Sequence, residues 1–215
     1  MKLPPALLLP LALSIRSSLA LPSVLKARDL TLDTQNDLVN GVPCKKFTLI
    51  HAKGTTSPGN VGTETGPPFF QAVARLVGQE NVAVQGVEYD ADVIGFLRGG
   101  DPDGSEYMAN LVEEVLSRCP DTKVTLSGWS QGAQLVHNAA ELLKPETAAK
   151  VSSAITFGDP KNGEPFGQIP QSRTTIYCND GDYICEGSII LTDAHSTYEQ
   201  DATAAAQFVV QQAAL

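Results

Sequence analysis

Hydrophobic residues along this chain follow two alternating patterns. Short runs rich in β-branched residues predict five strands, at residues 46–51, 81–89, 123–128, 151–157 and 173–177. Between them, apolar residues recur at three- and four-residue spacing, which predicts helices over 67–77, 105–118 and 130–143 and a last helix within 197–215. Strands that alternate with helices form parallel sheets covered on both faces, so the pattern predicts a three-layer α/β/α sandwich around a mostly parallel five-stranded sheet.

The beginning of the chain does not fit that pattern. A short basic start precedes an apolar stretch over residues 6–13, and Ser18-Leu19-Ala20 supplies the small residues that a signal peptidase recognises. We therefore expect a signal peptide over residues 1–20 and a secreted, extracellular protein. Residues 21–28 end in a basic sequence typical of processing sites and are predicted to be a short pro-segment. One domain then remains, over residues 29–215.

Charge and cysteine content narrow the function further. Removing residues 1–28 leaves 11 basic against 24 acidic side chains, a net charge of −13. Such a protein lacks the basic surface that nucleic-acid binding requires. No later apolar stretch is long enough to cross a bilayer. In a secreted chain the four cysteines predict disulfides, and the spacing of the cysteines and histidines does not match a zinc site, so we expect no metal.

A candidate nucleophile lies where the third predicted strand gives way to the third predicted helix, in Gly128-Trp129-Ser130-Gln131-Gly132. A Gly-x-Ser-x-Gly sequence at such a junction is typical of the nucleophile elbow, a strained turn that exposes the serine hydroxyl above the sheet. The helix that follows directs the backbone N–H of Gln131 at a developing oxyanion. The motif therefore predicts acyl transfer through Ser130, with Gln131 as an oxyanion donor.

A serine nucleophile needs a base, and three histidines are candidates. His51 precedes the motif, and His137 lies two turns into the following helix, where it is predicted to be a surface or packing residue. Only His195 satisfies the chain order serine, acid, histidine of the α/β-hydrolases. For the acid, Asp180 and Asp182 both follow a strand end inside a loop flanked by cysteines, and spacing does not choose between them.

Several short motifs in a fixed order make the chain, from about Cys44 to its C-terminus, resemble the fungal cutinases, which are small lidless α/β-hydrolases. These motifs are Ala52-Lys53-Gly54-Thr55-Thr56, Gln85-Gly86-Val87, Arg118-Cys119-Pro120, the sequence around Ser130, residues 178–185 and Ala194-His195. The resemblance implies a serine esterase that needs no cofactor and acts at an interface on cutin-type polyesters and short-to-medium-chain acyl esters. No dimerisation surface is evident, so we expect a monomer.

The resemblance also assigns roles to single residues. It places the acid on Asp182, and it implies that Thr55 supplies a second oxyanion donor through its backbone N–H and its hydroxyl. It implies two disulfides, Cys44–Cys119 and Cys178–Cys185. These assignments complete a site whose nucleophile and base follow from the motif and the chain order.

A substrate crevice is implied by two apolar stretches, residues 93–97 and 189–191. The predicted crevice residues within them are Ile94, Phe96, Leu97, Ile189 and Ile190. In the family such loops flank the site and receive an acyl chain. The alternative is that these side chains belong to an ordinary core or strand.

The chain departs from the family pattern at several positions. Trp129 replaces the usual tyrosine of the elbow, and Lys53 and Ser57 replace an arginine and a glutamate. Many members brace the oxyanion-hole hydroxyl with an asparagine after the second strand, but no asparagine occurs between Asn81 and Asn110.

Two other functions fit part of the sequence. Acetylxylan esterases share the elbow, the Thr-Thr-x-Pro-Gly segment at 55–59 and the Gly158-Asp159-Pro160 turn, but they usually carry more cysteines. A catalytically silent secreted relative that binds host surfaces or lipids is the third possibility, and the intact serine, acid and histidine argue against it.

Overall fold

A five-stranded sheet forms the centre of the protein, in a computed structural model that describes Met1 and residues 28–214. Its strands are β1 Phe47–Ala52, β2 Val82–Gly86, β3 Lys123–Trp129, β4 Val151–Phe157 and β5 Thr174–Tyr177. They lie in the order β2-β1-β3-β4-β5, and every neighbouring pair is parallel. Except for Met1, the predicted signal peptide lies outside the described residues, as does the predicted pro-segment up to residue 27.

Six α-helices connect or follow these strands. They are α1 Gly66–Val77, α2 Val93–Leu97, α3 Pro102–Arg118, α4 Gln131–Leu142, α5 Pro145–Ala148 and α6 Ala202–Ala213. Single turns of 3-10 helix occupy Gln79–Asn81, Gln171–Arg173, Tyr183–Glu186, Asp193–Ser196 and Tyr198–Asp201. Helix α3 begins three residues before the predicted start because the Asp101 carboxylate caps it, accepting a hydrogen bond from Gly104 N.

The helices cover both faces of the sheet, which confirms the predicted three-layer sandwich. Successive strand residues point to opposite faces. Leu49 of β1 packs in a cluster with Phe69 and Phe70 of α1, on the face that also carries α6. Its neighbour Ile50 packs in a second cluster with side chains of α3 and α4. The central strands are buried on both sides, as their nearly continuous apolar sequences predict.

Two disulfides tie loops to this framework. Cys44–Cys119 joins the segment before β1 to the end of α3 and spans 75 residues of sequence. Cys178–Cys185 closes a loop of 7 residues' separation directly after β5. Both pairings are those that the resemblance implies. Among the helices described, none is both long and apolar enough to cross a membrane.

Candidate active site

Ser130 lies in the sharp turn between β3 and α4. This turn is at the C-terminal ends of the parallel strands, where ligand sites of such sheets are found. The backbone of Ser130 is strained, with a positive φ of 57° and ψ of −120°. A Cβ on Gly128 would lie 2.2 Å from Gly132 O, and one on Gly132 would lie 2.1 Å from Ala52 O. The two glycines are therefore required for this turn to pack between its neighbours.

His195 and Asp182 form a hydrogen-bonded series with this serine. His195 Nε2 lies 3.0 Å from Ser130 Oγ, and His195 Nδ1 lies 2.9 Å from Asp182 Oδ2. The other carboxylate oxygen of Asp182 accepts a hydrogen bond from Ile184 N, which fixes the orientation of the carboxylate. Asp180 is exposed, whereas Asp182 is buried and contacts the histidine. The geometry thus separates two carboxylates that spacing could not.

Tyr198 is a further member of this buried network that the sequence analysis missed. Its hydroxyl donates to Asp182 Oδ2 at 2.5 Å and accepts a hydrogen bond from Asn179 N. Burial and the hydrogen bond to Asp182 raise the pKa of the Tyr198 phenol, so it remains a donor at working pH. Tyr198 lies within the segment predicted to contain the last helix, and nothing in the sequence distinguishes it from an ordinary core tyrosine.

Trp129 also contacts the histidine. Its ring stacks on the His195 imidazole with 5.2 Å between centroids, and its indole N–H donates to the backbone oxygen of His195 at 3.0 Å. The same ring packs on Gly54, where a Cβ would lie 2.3 Å from it. The tryptophan that replaces the usual tyrosine therefore contacts both His195 and the loop after β1.

The loop after β1 forms the other side of the site. Ser57 N donates to Gly54 O and closes a tight turn, within which Thr56 has φ 61°. Thr56 N in turn donates to the backbone oxygen of Ala91, which has φ 51°. With Ser130, these are the three non-glycine residues of positive φ within residues 28–214. Backbone strain is thus concentrated around the site, which is common where function fixes geometry.

Thr55 and Gln131, the two residues predicted to receive an oxyanion, are brought together here. Gln131 is the first residue of α4, and the N–H groups of a first helical turn have no partner within the helix. Thr55 lines the same pocket as Ser130. The Gln131 side chain donates to Thr55 Oγ1 at 2.9 Å and to Asp92 O at 2.8 Å.

A pocket of about 460 Å³ opens in front of Ser130. From the loop after β1, the lining includes Thr55, Thr56, Ser57, Pro58 and Glu64. The rest of the lining is largely apolar and includes Val93, Phe96, Leu97, Trp129, Ile184, Ile189 and Leu191. A volume of this size suits a small or medium-sized organic ligand.

The predicted crevice residues divide between this pocket and its edge. Phe96, Leu97 and Ile189 line the pocket, whereas Ile94 and Ile190 lie outside the lining. On α2, Phe96 and Leu97 share a helical face with Val93, which also lines the pocket, and Ile94 is turned about 100° away from Val93. We call the exposed aliphatic side chains here the apolar rim; they are Val93, Ile94, Leu97, Ile189, Ile190 and Leu191, each more than half exposed.

The two remaining histidines lie elsewhere in the interior. His51 is buried with Nδ1 2.9 Å from Ser127 Oγ, and burial lowers its pKa to about 3. His137 is a packing residue: Nε2 lies 2.9 Å from Asp159 Oδ2, and the ring stacks on Phe166. Nowhere in the described part of the chain do three or more His, Cys, Asp or Glu side chains cluster as a metal site would require.

Comparison with known proteins identifies one matching family model and several proteins of similar sequence or structure. The Cutinase family model matches residues 43–213. A cutinase from Botryotinia fuckeliana is 54% identical over 172 residues, which cover 80% of this chain and 85% of the relative. A Trichoderma reesei cutinase, solved in complex with a phosphonate inhibitor, is 42% identical with a TM-score of 0.79 and coverage of 85% and 81%. An acetylxylan esterase structure, with a TM-score of 0.63 and coverage of 79% and 99%, is only 20% identical and so shares the fold.

The family match agrees with the geometry described above. It covers the sheet, the elbow, both disulfides and the loop that carries His195, and so includes every element that positions the site. The resemblance inferred from the short motifs is thereby confirmed, and the chain belongs to the cutinase family.

Proposed function

We propose that this protein is a secreted serine esterase that hydrolyses cutin-type polyesters and short-to-medium-chain acyl esters. One observation carries the proposal: Ser130, His195 and Asp182 form a hydrogen-bonded series that opens into a largely apolar pocket. Family membership supports the same reaction class, carboxylic ester hydrolysis.

The proposed reaction is acyl transfer through a covalent intermediate. His195 Nε2 takes the proton of Ser130 Oγ as that oxygen bonds to the ester carbonyl carbon. Backbone N–H groups of Thr55 and Gln131 receive the resulting oxyanion. When the intermediate collapses, His195 gives its proton to the departing alcohol oxygen. The acyl-enzyme is then cleaved by a water that His195 deprotonates, and the carboxylic acid leaves with Ser130 restored.

Asp182 supports both halves of this cycle. Its contact with His195 Nδ1 keeps a hydrogen on that nitrogen, so that the lone pair of Nε2 faces the serine. Its negative charge stabilises the imidazolium that forms when the serine proton is taken. The proposed steps require no metal or cofactor, because every proton is carried by His195.

The apolar rim supports an insoluble substrate. Contiguous exposed aliphatic side chains at the mouth of a pocket are typical of surfaces that bind apolar partners. Contact with a waxy polyester would remove these side chains from water, at roughly 25 cal/mol per Å² of apolar surface. We therefore propose that the protein acts as a monomer at a substrate interface, with the rim against the polymer.

Three substrates distinguish the functions that the sequence allows. We expect the purified protein to hydrolyse p-nitrophenyl butyrate and particulate cutin, and we expect Ser130→Ala to abolish both activities. Hydrolysis of acetylated xylan alone would favour a carbohydrate-acetyl esterase. Absence of turnover on all three would overturn both enzyme functions and leave the silent surface-binding relative.

Two further measurements test the assigned roles. A phosphonate inhibitor, the class in complex with which the Trichoderma reesei cutinase was solved, is expected to modify Ser130 and no other serine in a peptide map. Asp182→Asn is expected to lower kcat by about 10⁴-fold, because the histidine loses its orienting acceptor. Asp180→Asn is the matched control and should retain full activity, since Asp180 is exposed.

We also propose that the mature protein begins within the first 29 residues of the sequence. Arg28, the last residue of the predicted pro-segment, contacts the Asp37 carboxylate and donates to Val82 O at 2.9 Å. Removal of the signal peptide alone keeps these contacts, and cleavage after Arg28 removes them. The N-terminal sequence of the secreted protein decides: Asp29 as first residue supports the pro-segment, and Leu21 contradicts it.

A further inference from the structure

One carboxylate lies in the wall of the pocket in front of Ser130. Among the described residues that line this pocket, Glu64 is the one Asp, Glu, Lys or Arg side chain. We propose that Glu64 is a specificity-determining residue, which makes the pocket discriminate against esters that carry a negative charge near the scissile bond. The inference rests on the proposed esterase function and adds to it a selection by substrate charge.

The carboxylate of Glu64 is held by the loop that leads into α1. Its Oε2 accepts hydrogen bonds from Thr63 N at 2.9 Å and from Ser57 Oγ at 3.2 Å. Gly62, with φ 68°, leaves room for this oxygen, because a Cβ there would lie 2.8 Å from Glu64 Oε2. Hydrogen bonds to an ionised acceptor are stronger than those between neutral groups. The negative charge therefore has a fixed place in the pocket wall.

No positive side chain neutralises this charge within the part of the chain that the structure describes. The four ion pairs found there do not include Glu64; their carboxylates belong to Asp37, Glu114, Asp159 and Asp182. Lys53, which precedes the same loop, donates instead to Gly59 O at 2.7 Å. The other carboxylate oxygen, Glu64 Oε1, accepts no hydrogen bond from the described residues. The charge is therefore free to act on a bound substrate.

The apolar part of the lining strengthens the effect of this charge. Hydrocarbon side chains such as Phe96 and Leu97 polarise little, so they screen a charge less than water does. A cleft with apolar walls and one sign of charge concentrates the electric field within it. An anionic group on a bound ester is therefore repelled, and a cationic group is attracted. Dissolved salt limits the range of this effect to about 10 Å at 0.1 M.

Three p-nitrophenyl esters of matched shape test the selection on the acyl side of the ester. The first is the half-ester of glutaric acid, which carries a carboxylate. An isopropyl group replaces that carboxylate in the second ester, and a trimethylammonium group replaces it in the third. The measured quantity is kcat/KM for each charged ester divided by kcat/KM for the uncharged ester. Because a change in fold or in catalytic power affects the uncharged ester as well, this ratio isolates the effect of charge.

Glu64→Gln removes the charge and keeps the shape of the side chain. We expect the ratio for the anionic ester to rise by roughly three- to tenfold and the ratio for the cationic ester to fall by a similar factor. The change should appear mainly in KM, because the charge acts on bound substrate and transition state alike. Glu64→Asp keeps the charge and should retain most of the wild-type selection. Salt at about 0.5 M should weaken the selection in the wild-type protein.

Glu80→Gln is the matched control for net charge. It removes the same charge from an exposed side chain just before β2, at the opposite end of the parallel strands from Ser130. Both ratios should keep their wild-type values in this variant. A shift as large as that of Glu64→Gln would assign the selection to the charge of the whole protein and overturn the inference.

A second series carries the charge on the alcohol side of the ester. The butyrate ester of p-hydroxybenzoate is anionic there, and p-nitrophenyl butyrate is its uncharged reference. A rise of the ratio in Glu64→Gln in either series supports the inference and identifies the side of the substrate that Glu64 faces. Unchanged ratios in both series would overturn it.

A further variant covers the case in which Glu64→Gln does not fold, as judged by thermal unfolding. Glu64→Ala also removes the charge and should raise the ratio for the anionic ester by the same factor, because charge rather than shape sets the selection. A wild-type protein that hydrolyses none of the uncharged esters would overturn the proposed esterase function. One that hydrolyses them with no selection due to Glu64 would overturn this inference alone.

Discussion

The protein contains two buried histidine–aspartate pairs that resemble each other closely. In each, a ring nitrogen lies 2.9 Å from a carboxylate oxygen: His195 with Asp182, and His137 with Asp159. All four side chains are almost fully buried. The pairs differ at the second ring nitrogen, which faces the Ser130 hydroxyl in one and the backbone oxygen of Pro165 in the other.

That difference decides what each histidine can do. A hydroxyl can donate to a lone pair, so His195 Nε2 can face Ser130 as a base. A carbonyl oxygen only accepts, so His137 Nδ1 must carry a hydrogen and has no lone pair to offer. Asp159 is held further by Thr156 Oγ1 at 2.6 Å and by Lys161 N at 2.8 Å. A buried histidine–carboxylate pair is therefore insufficient evidence of catalysis, and the third group determines the function.

The largest expected effect is on activity, at the pair that faces the serine. His195→Ala should lower kcat on p-nitrophenyl butyrate by about 10⁴-fold or more, because the serine loses its base. Unfolding in urea should change little in comparison, since Asp182 keeps the hydrogen bonds from Tyr198 and Ile184. Retention of even a tenth of wild-type kcat would contradict the assignment.

Changes in the other pair, His137 and Asp159, should affect stability rather than activity. His137→Ala deletes a fully buried ring that stacks on Phe166 and contacts Asp159, and it leaves a cavity in the interior, so we expect the free energy of unfolding to fall by about 3 kcal/mol. The kcat of the remaining folded protein should equal the wild-type value. Adding Asp159→Asn should recover part of the loss, because a neutral amide is less costly to bury unpaired. If His137→Ala lowered kcat strongly without lowering stability, the proposed difference in function between the two pairs would be wrong.

His51 is the third buried histidine, and unlike the other two it contacts no carboxylate of the described residues. Burial lowers its pKa to about 3 in the folded state, against about 6.5 in the unfolded chain, so the unfolded state binds more protons between these values. Stability must therefore rise with pH through this window and fall as the solution is acidified below about pH 6. His51→Leu should reduce that slope by up to about 1.4 kcal/mol per pH unit in urea titrations at pH 4–6. An unchanged slope would show that His51 does not cause it.

We expect the smallest effect at Tyr198, whose hydroxyl and His195 Nδ1 both contact Asp182 Oδ2. Tyr198→Phe removes a hydrogen bond from Asp182 Oδ2, and the carboxylate should then stabilise the imidazolium more strongly. The pH at which kcat/KM falls on the acid side should therefore rise by roughly half a pH unit. Such a shift corresponds to less than about 1 kcal/mol of interaction free energy. Tyr177→Phe, which alters a half-buried tyrosine outside this network, is the control. A shift to lower pH, or none, would show that the Tyr198 hydrogen bond does not weaken the effect of the Asp182 charge on His195.

Much of the fold could be predicted because its signals are local. Each strand is a short apolar run, and the elbow requires glycine at fixed positions. The second strand ends at Gly86 rather than residue 89, and α2, with five residues, is too short to show helical periodicity.

The site was only partly predictable. Chain order identifies His195, because the α/β-hydrolase arrangement fixes it. Choosing Asp182 over Asp180 required the family resemblance. The contacts of Gln131 and Tyr198 could not be predicted, since their partners lie 76 and 16 residues away and both residue types fit ordinary packing equally well.

The stacking of Trp129 on His195 has a practical consequence. Trp129 is the single tryptophan of the sequence, so all indole emission of the protein originates beside His195. A protonated imidazole quenches indole fluorescence more than a neutral one. A fluorescence titration therefore reports the protonation of His195 without substrate.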